Sequence, residues 1–128
     1  MNGLERWHHV MKEGDVEALY DLLHPNCVFI SPVVHTPQQG REITYTYLCA
    51  ANKALSEDFH YVREVVQDNH AVLEFTVKVD EILVNGVDII TFDRDKIVEL
   101  KVMVRPLKAV NAVWKQMGKM LEQSKAGE

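Results

Sequence analysis

Residues 98 to 105 of this chain, VELKVMVR, alternate without a break. Val98, Leu100, Val102 and Val104 fall on one side of an extended backbone, and Glu99, Lys101, Met103 and Arg105 on the other. A period of two is the signature of an antiparallel sheet with one apolar face, and no helix accommodates it. The stretch just before, VDIITFD, reads as a second strand joined through a tight turn at Asp93-Arg94-Asp95-Lys96. It puts Asp88 on the same face as Ile90 and Phe92. A carboxylate on an apolar face is unfavourable unless it has a partner, keeps its proton or serves a ligand. The sequence therefore implies a small domain with an acid-bearing pocket.

The length of 128 residues suits a single domain, 1–128, with one hydrophobic core. A formal charge of −5, with Lys and Arg scattered, argues against a nucleic-acid partner, which would need a basic stripe. No segment approaches the roughly 20 apolar residues needed to span a bilayer, so no membrane partner is expected. The opening MNGLERWHHV carries acid and histidine where a signal peptide needs a basic and then an apolar run, so a cytoplasmic protein is expected. Cys27 and Cys49 lie in no metal-like spacing and are expected to be reduced thiols.

Along the chain, Leu4, Trp7, His8 and Met11 have helical spacing, predicting a helix over 4–13 that ends at Gly14. Asp15 caps a second, with Val16, Leu19, Tyr20, Leu22 and Leu23 apolar. His24-Pro25-Asn26 breaks it, and 27–31 is a short strand before a loop over 32–39. Gly40-Arg41-Glu42 opens a third helix with Ile43, Tyr47, Leu48, Ala51 and Leu55 as its broad face. Strands follow over 59–66 and 71–84, with Asn85-Gly86 as a hairpin turn because both residues tolerate positive φ. After Pro106 a final helix carries Leu107, Val110, Trp114, Met117 and Leu121 on one stripe, with Trp114 expected in the core. A polar tail runs from Ser124 to Glu128. The pattern is α+β, with helices covering one side of a curved antiparallel sheet.

In this order the chain resembles the NTF2-like superfamily, particularly its SnoaL-like and ketosteroid-isomerase-like members. The resemblance rests on EGDVEAL (Glu13 to Leu19), VFISP (Val28 to Pro32), GRE (Gly40 to Glu42), then DIITFD and KIVELKVMVRPL. It implies a cone, in which a strongly bent antiparallel sheet wraps around N-terminal helices to enclose an apolar pocket, with a C-terminal helix. It also implies a homodimer through the outer face of the sheet, near Met103 and Arg105. One departure is visible: FDRDKI lacks the glycine often found just before its basic residue.

Set against ketosteroid isomerases, the resemblance makes Asp88 the buried acid that donates to an oxyanion. It puts Ser31 where their aspartate base stands and Trp7 where their oxyanion-hole tyrosine stands. A serine without an adjacent base cannot take a proton from carbon, and indole donates a hydrogen bond but transfers no proton. The expected ligand is thus a small apolar, oxygen-bearing molecule, with isomerase, lyase or hydrolase chemistry left open. The alternative is a non-catalytic binding or dimerisation module. The expected catalytic groups are Asp88 and His35, whose loop the resemblance puts near the pocket mouth. Equally, Asp88 pairs with Trp7, Tyr47 or a histidine to satisfy the core, and His35 is solvated surface. The expected ligand-binding wall is Trp7, Phe29, Ser31, Tyr47, Phe75, Val77, Ile90, Val102 and Val104. None of the six histidines has metal-site spacing, and no metal or cofactor is expected.

Overall fold

The computed structural model of the protein describes residues 2–126. Two helices, α1 (Gly3–Glu13) and α2 (Val16–Leu22), lead into β1 (Leu23–Ile30) and a two-residue β2 (Gln38–Gln39). After α3 (Arg41–Ala54) come β3 (Glu57–Gln67), β4 (His70–Val79), β5 (Ile82–Asp93) and β6 (Lys96–Arg105), and the chain closes with α4 (Leu107–Ala126). The polar tail expected from Ser124 is helical over 124–126, while 127 and 128 lie outside the described residues. The strands form one sheet in the order β2-β1-β6-β5-β4-β3. Every pairing is antiparallel except β1 with β6, which is parallel.

Local chemistry sets the helix limits. Asn2 caps α1 with a reciprocal capping box to Glu5, and Gly14 ends the helix in the left-handed conformation at φ 67°. The Asp15 side chain accepts from the Ala18 N–H at 3.1 Å and starts α2. β1 begins earlier than expected, at Leu23, and contains Pro25. The proline is accommodated because the ladder to β6 shifts register between Leu23 and Val28, so no paired N–H is required there.

The largest departure concerns the expected strand over 71–84 and its turn at Asn85-Gly86. The chain reverses earlier, at Asp80-Glu81, where both residues take positive φ (50° and 65°) and Val79 pairs with Ile82. Asn85 and Gly86 lie inside β5, opposite Thr76 and Phe75. The glycine is needed for space. A Cβ at position 86 would stand 2.5 Å from Phe75 Cζ and 2.8 Å from the Met103 carbonyl oxygen. Asn85 is held by its own amide, which donates to Glu74 Oε2 and to the Phe75 carbonyl, both at 3.1 Å.

Two helix faces also differ from expectation. In α3 the buried side chains are Thr44, Leu48 and Ala50, and Ile43 is exposed. In α4 the buried residues are Ala109, Ala112, Val113 and Met117, whereas Leu107 and Trp114 are 75% and 64% exposed. The small alanines let this helix lie close to Val77, Val79 and Val84 of the sheet, and that contact turns Trp114 outward. The inward face of β6 is also offset at its start. A bulge between Thr91 and Phe92 opposes Phe92 to Ile97, so Ile97 is fully buried and Val98 only half-buried.

The core has two connected parts. Trp7, Val10, Leu19, Leu22, Phe29, Leu48, Leu73, Ile90 and Leu100 fill one under α1 and α2. Phe75, Val77, Val84, Ala109, Val113 and Met117 fill the other under α3 and α4. Tyr47, Tyr61 and Val102 pack against both, and the site opens at this junction.

Candidate functional site

Asp88 sits in the middle of β5, paired with Leu73 of β4 and Val102 of β6, both apolar. Its register position turns the carboxyl inward, where it is only 6% exposed. One carboxyl oxygen, Oδ2, accepts from the Tyr61 hydroxyl at 2.7 Å. Tyr61 in turn accepts from Trp7 Nε1 at 2.9 Å. Three elements (α1, β3 and β5) thus converge on a single row of hydrogen bonds. Phe59 and Phe75 stack 5.1 Å apart, and Phe59 meets Tyr61 edge-on at 5.1 Å, so the phenol ring is wedged in place.

Burial dominates the electrostatics. It pushes the Asp88 carboxyl up to about 7, against the Tyr61 hydrogen bond, which works downward. Burial, then the charge and hydrogen bond of Asp88, push Tyr61 far upward, so it keeps its proton through the ordinary pH range.

A cavity opens beside Asp88 between the helices and the inner face of the sheet. Its wall includes Trp7, Met11 and Leu19 from the first two helices, and Leu48, Ala51 and Asn52 from α3. Phe29, Phe75, Leu100, Val102 and Val104 come from the sheet, and Val113 and Met117 from α4. Ser31, Pro32 and Val33 complete it from the loop after β1. Among the described residues of this lining, Asp88 is the one ionisable side chain.

Of the residues expected at the site, Trp7, Phe29, Ser31, Phe75, Asp88, Val102 and Val104 come together around the cavity. Val77 and Ile90 do not line it. Both are fully buried in the core. Tyr47 is not part of the lining, and its ring lies 5.7 Å from that of Phe29. His35 is exposed in the loop and outside the lining, so the structure does not bring it to Asp88. The Ser31 hydroxyl is engaged locally. Its Oγ accepts from the Val33 and Val34 N–H groups at 3.1 and 3.3 Å and shapes the turn.

The partner of Asp88 is Tyr61, rather than the tryptophan, Tyr47 or histidine expected from the sequence. Only its place two residues after Phe59, on the inward face of β3, marks this residue in the sequence. Met11, Asn52, Val113 and Met117 were likewise not anticipated. Cys27 is buried and Cys49 half-buried, and both are free thiols.

A bent, unclosed sheet wrapped against helices, with a buried acid facing an internal cavity, defines an NTF2-like protein. Within that class the chain belongs to the SnoaL-like domain family, whose model matches residues 4–100. A steroid delta-isomerase from Pseudomonas aeruginosa is 36% identical and superposes with a TM-score of 0.92, covering 97% of this chain and 92% of its own. A protein with a cystatin-like fold from Silicibacter pomeroyi is 29% identical, with a TM-score of 0.85 over 91% and 83% of the two chains. An NTF2-like protein from Mesorhizobium loti shares the fold at 21% identity and a TM-score of 0.73, over 81% and 88%. No curated protein matches the chain.

Proposed function

We propose that the cavity binds a small apolar molecule bearing a carbonyl or hydroxyl oxygen, and that Asp88 is the group that engages this oxygen. The observation that carries this reading is the asymmetry of the Asp88 carboxyl. Oδ2 is taken by Tyr61, while Oδ1 has no protein partner among the described residues. Among those residues, Thr44 Oγ1 is the one fully enclosed side-chain polar atom without a partner, so Asp88 Oδ1 still reaches free space. An unpartnered carboxyl oxygen on a mostly apolar wall, whose other polar side chains are Ser31 and Asn52, fits one polar atom of a ligand.

A group titrating near 7 both gives and takes a proton readily at neutral pH, which suits general acid–base chemistry. The likeness to a protein named steroid delta-isomerase supports an isomerisation of an oxygen-bearing apolar compound. Against the usual route stands Ser31, whose Oγ is committed to the turn and offers no base. Proton transfer would therefore run through Asp88. A second reading, binding without turnover, is favoured by the lack of a second ionisable group in the described lining.

The test is incubation with ketones, epoxides and hydroxy compounds followed by NMR, in wild type and Asp88→Asn. Turnover lost in the variant supports the enzyme, and saturable Asp88-dependent binding without turnover supports the module. Binding unchanged in Asp88→Leu, which leaves no polar atom at this position to meet the ligand oxygen, sinks both. The outer face of the sheet, where Met103 is 51% exposed beside the half-buried Val87, supports a homodimer as the working form.

A further inference from the structure

We infer that Tyr61 is the positioning residue of this site: locked by Trp7 into donating to Oδ2 of Asp88, it leaves Oδ1 to carry the acid's proton toward the cavity. This inference rests on the reading of Asp88 as the ligand contact and specifies how that contact is oriented.

The number of donors and acceptors decides the direction. Indole Nε1–H donates and cannot accept. At 2.9 Å from the Tyr61 hydroxyl, it forces that oxygen to be the acceptor. The single phenolic proton must then go elsewhere, and Asp88 Oδ2 at 2.7 Å is the one acceptor it meets among the described residues. The row therefore runs from Trp7 to Tyr61 to Asp88. When Asp88 is neutral, a proton on Oδ2 would oppose the phenolic proton and leave that proton without an acceptor, which is costly for a buried group. The carboxyl proton therefore sits on Oδ1.

A neutral Asp88 so oriented presents a donor to the cavity. It is matched by a ligand whose deep end is an acceptor oxygen, and mismatched by an ammonium. Because each donor polarises the next, the row also strengthens the final hydrogen bond.

The surroundings leave few competing charges. Leu73 and Val102 flank Asp88 on β4 and β6, and the described wall from α1, α2, α3 and α4 contains no ionisable side chain. Beyond Tyr61, His8 of α1 packs edge-on against the phenol at 5.6 Å and pairs with Glu64 of β3 at the surface. The Glu64 charge acts on Tyr61 in the same direction as Asp88.

The experiment has a ligand-free and a ligand-bound arm. Carboxyl-carbon NMR of Asp88 gives its titration midpoint in wild type, Tyr61→Phe and Trp7→Phe. Losing the Tyr61 donor favours the neutral acid, so the midpoint moves upward in Tyr61→Phe. It also moves upward in Trp7→Phe, where the phenol is released to accept from the acid. Fluorescence binding of 2-acetylnaphthalene, with 1-(2-naphthyl)ethylamine as the cationic counterpart, is then followed from pH 5 to pH 9. Ketone affinity falls about tenfold per pH unit above the midpoint in wild type, and the fall begins at higher pH in Tyr61→Phe. A structural role alone would weaken binding at every pH and leave both midpoints in place. That outcome, in variants with native circular dichroism, overturns the inference. If instead the midpoints move but ketone binding in Asp88→Asn keeps the wild-type pH profile, Asp88 is not the ligand contact, and the function proposed above falls with the orientation argued here.

Discussion

Asp88 couples the site to the stability of the fold. Its carboxyl, held at about 7 when folded and near 3.8 when unfolded, binds a proton more tightly in the native state. The stabilisation this provides is complete below about pH 4 and is lost as pH rises through 7. Asp88→Asn removes the charge while keeping an acceptor for Tyr61. The variant should therefore match wild type near pH 4 and become the more stable protein by pH 8, with a ceiling of about 4 kcal/mol. Urea melts at the two pH values check this, and a gap that does not widen with pH would show a solvated carboxylate. Asp88 was legible because alternation alone puts it among Ile90 and Phe92. Tyr61 was not, because its significance comes from a tryptophan 54 residues away and an aspartate 27 residues away, and no local pattern reports such contacts. His35 lies outside the lining for the related reason that a loop's proximity to a mouth does not say where its side chains point.

At the scale of elements, helix and strand types follow from periodicity, while turn positions depend on what packs across the sheet. Asn85-Gly86 has ideal turn chemistry, yet Phe75 needs the glycine's open surface, and the reversal falls on Asp80-Glu81 instead. Residues other than glycine in the left-handed region carry about 1 kcal/mol of strain. Glu81→Gly should accordingly stabilise the protein by about 0.5–1 kcal/mol, read as a rise in thermal midpoint. The turn between β5 and β6 poses a contrasting case. Asp95, at φ 62°, stands where the family often has glycine, but its Oδ1 accepts from the Gly3 N–H at 3.1 Å and so satisfies the start of α1. Asp95→Gly should gain less than Glu81→Gly, or lose stability. Equal gains at both turns would show that the Asp95 contact contributes nothing. The orientation of α4 was hidden for another reason: its buried stripe is built on Ala109 and Ala112, which a search for large apolar residues passes over in favour of Leu107 and Trp114.

For the whole molecule, the sheet has an outer face with exposed apolar side chains. Val72, Leu83 and Met103 are exposed there, and Val87 pairs with Met103 in the β5–β6 ladder. A surface of this kind on a sheet is well suited to a second copy of itself. Light scattering at micromolar concentration should give twice the chain mass, and Met103→Glu should return the protein to a monomer. A monomeric wild type, or a variant dimer unaffected by the charge, would move the interface elsewhere.

Phe75 and Gly86 face each other across β4 and β5, and the phenylalanine ring is at once core filling and cavity wall. The two positions therefore share one allotment of volume. Gly86→Ala alone should destabilise by about 1–3 kcal/mol through crowding, and Phe75→Leu alone should leave a void that opens into the cavity. Combined, the losses should be less than additive, because the new methyl group occupies space the ring has vacated. A change of ligand size in this protein would thus be written at position 86, a residue outside the cavity lining, as well as at position 75.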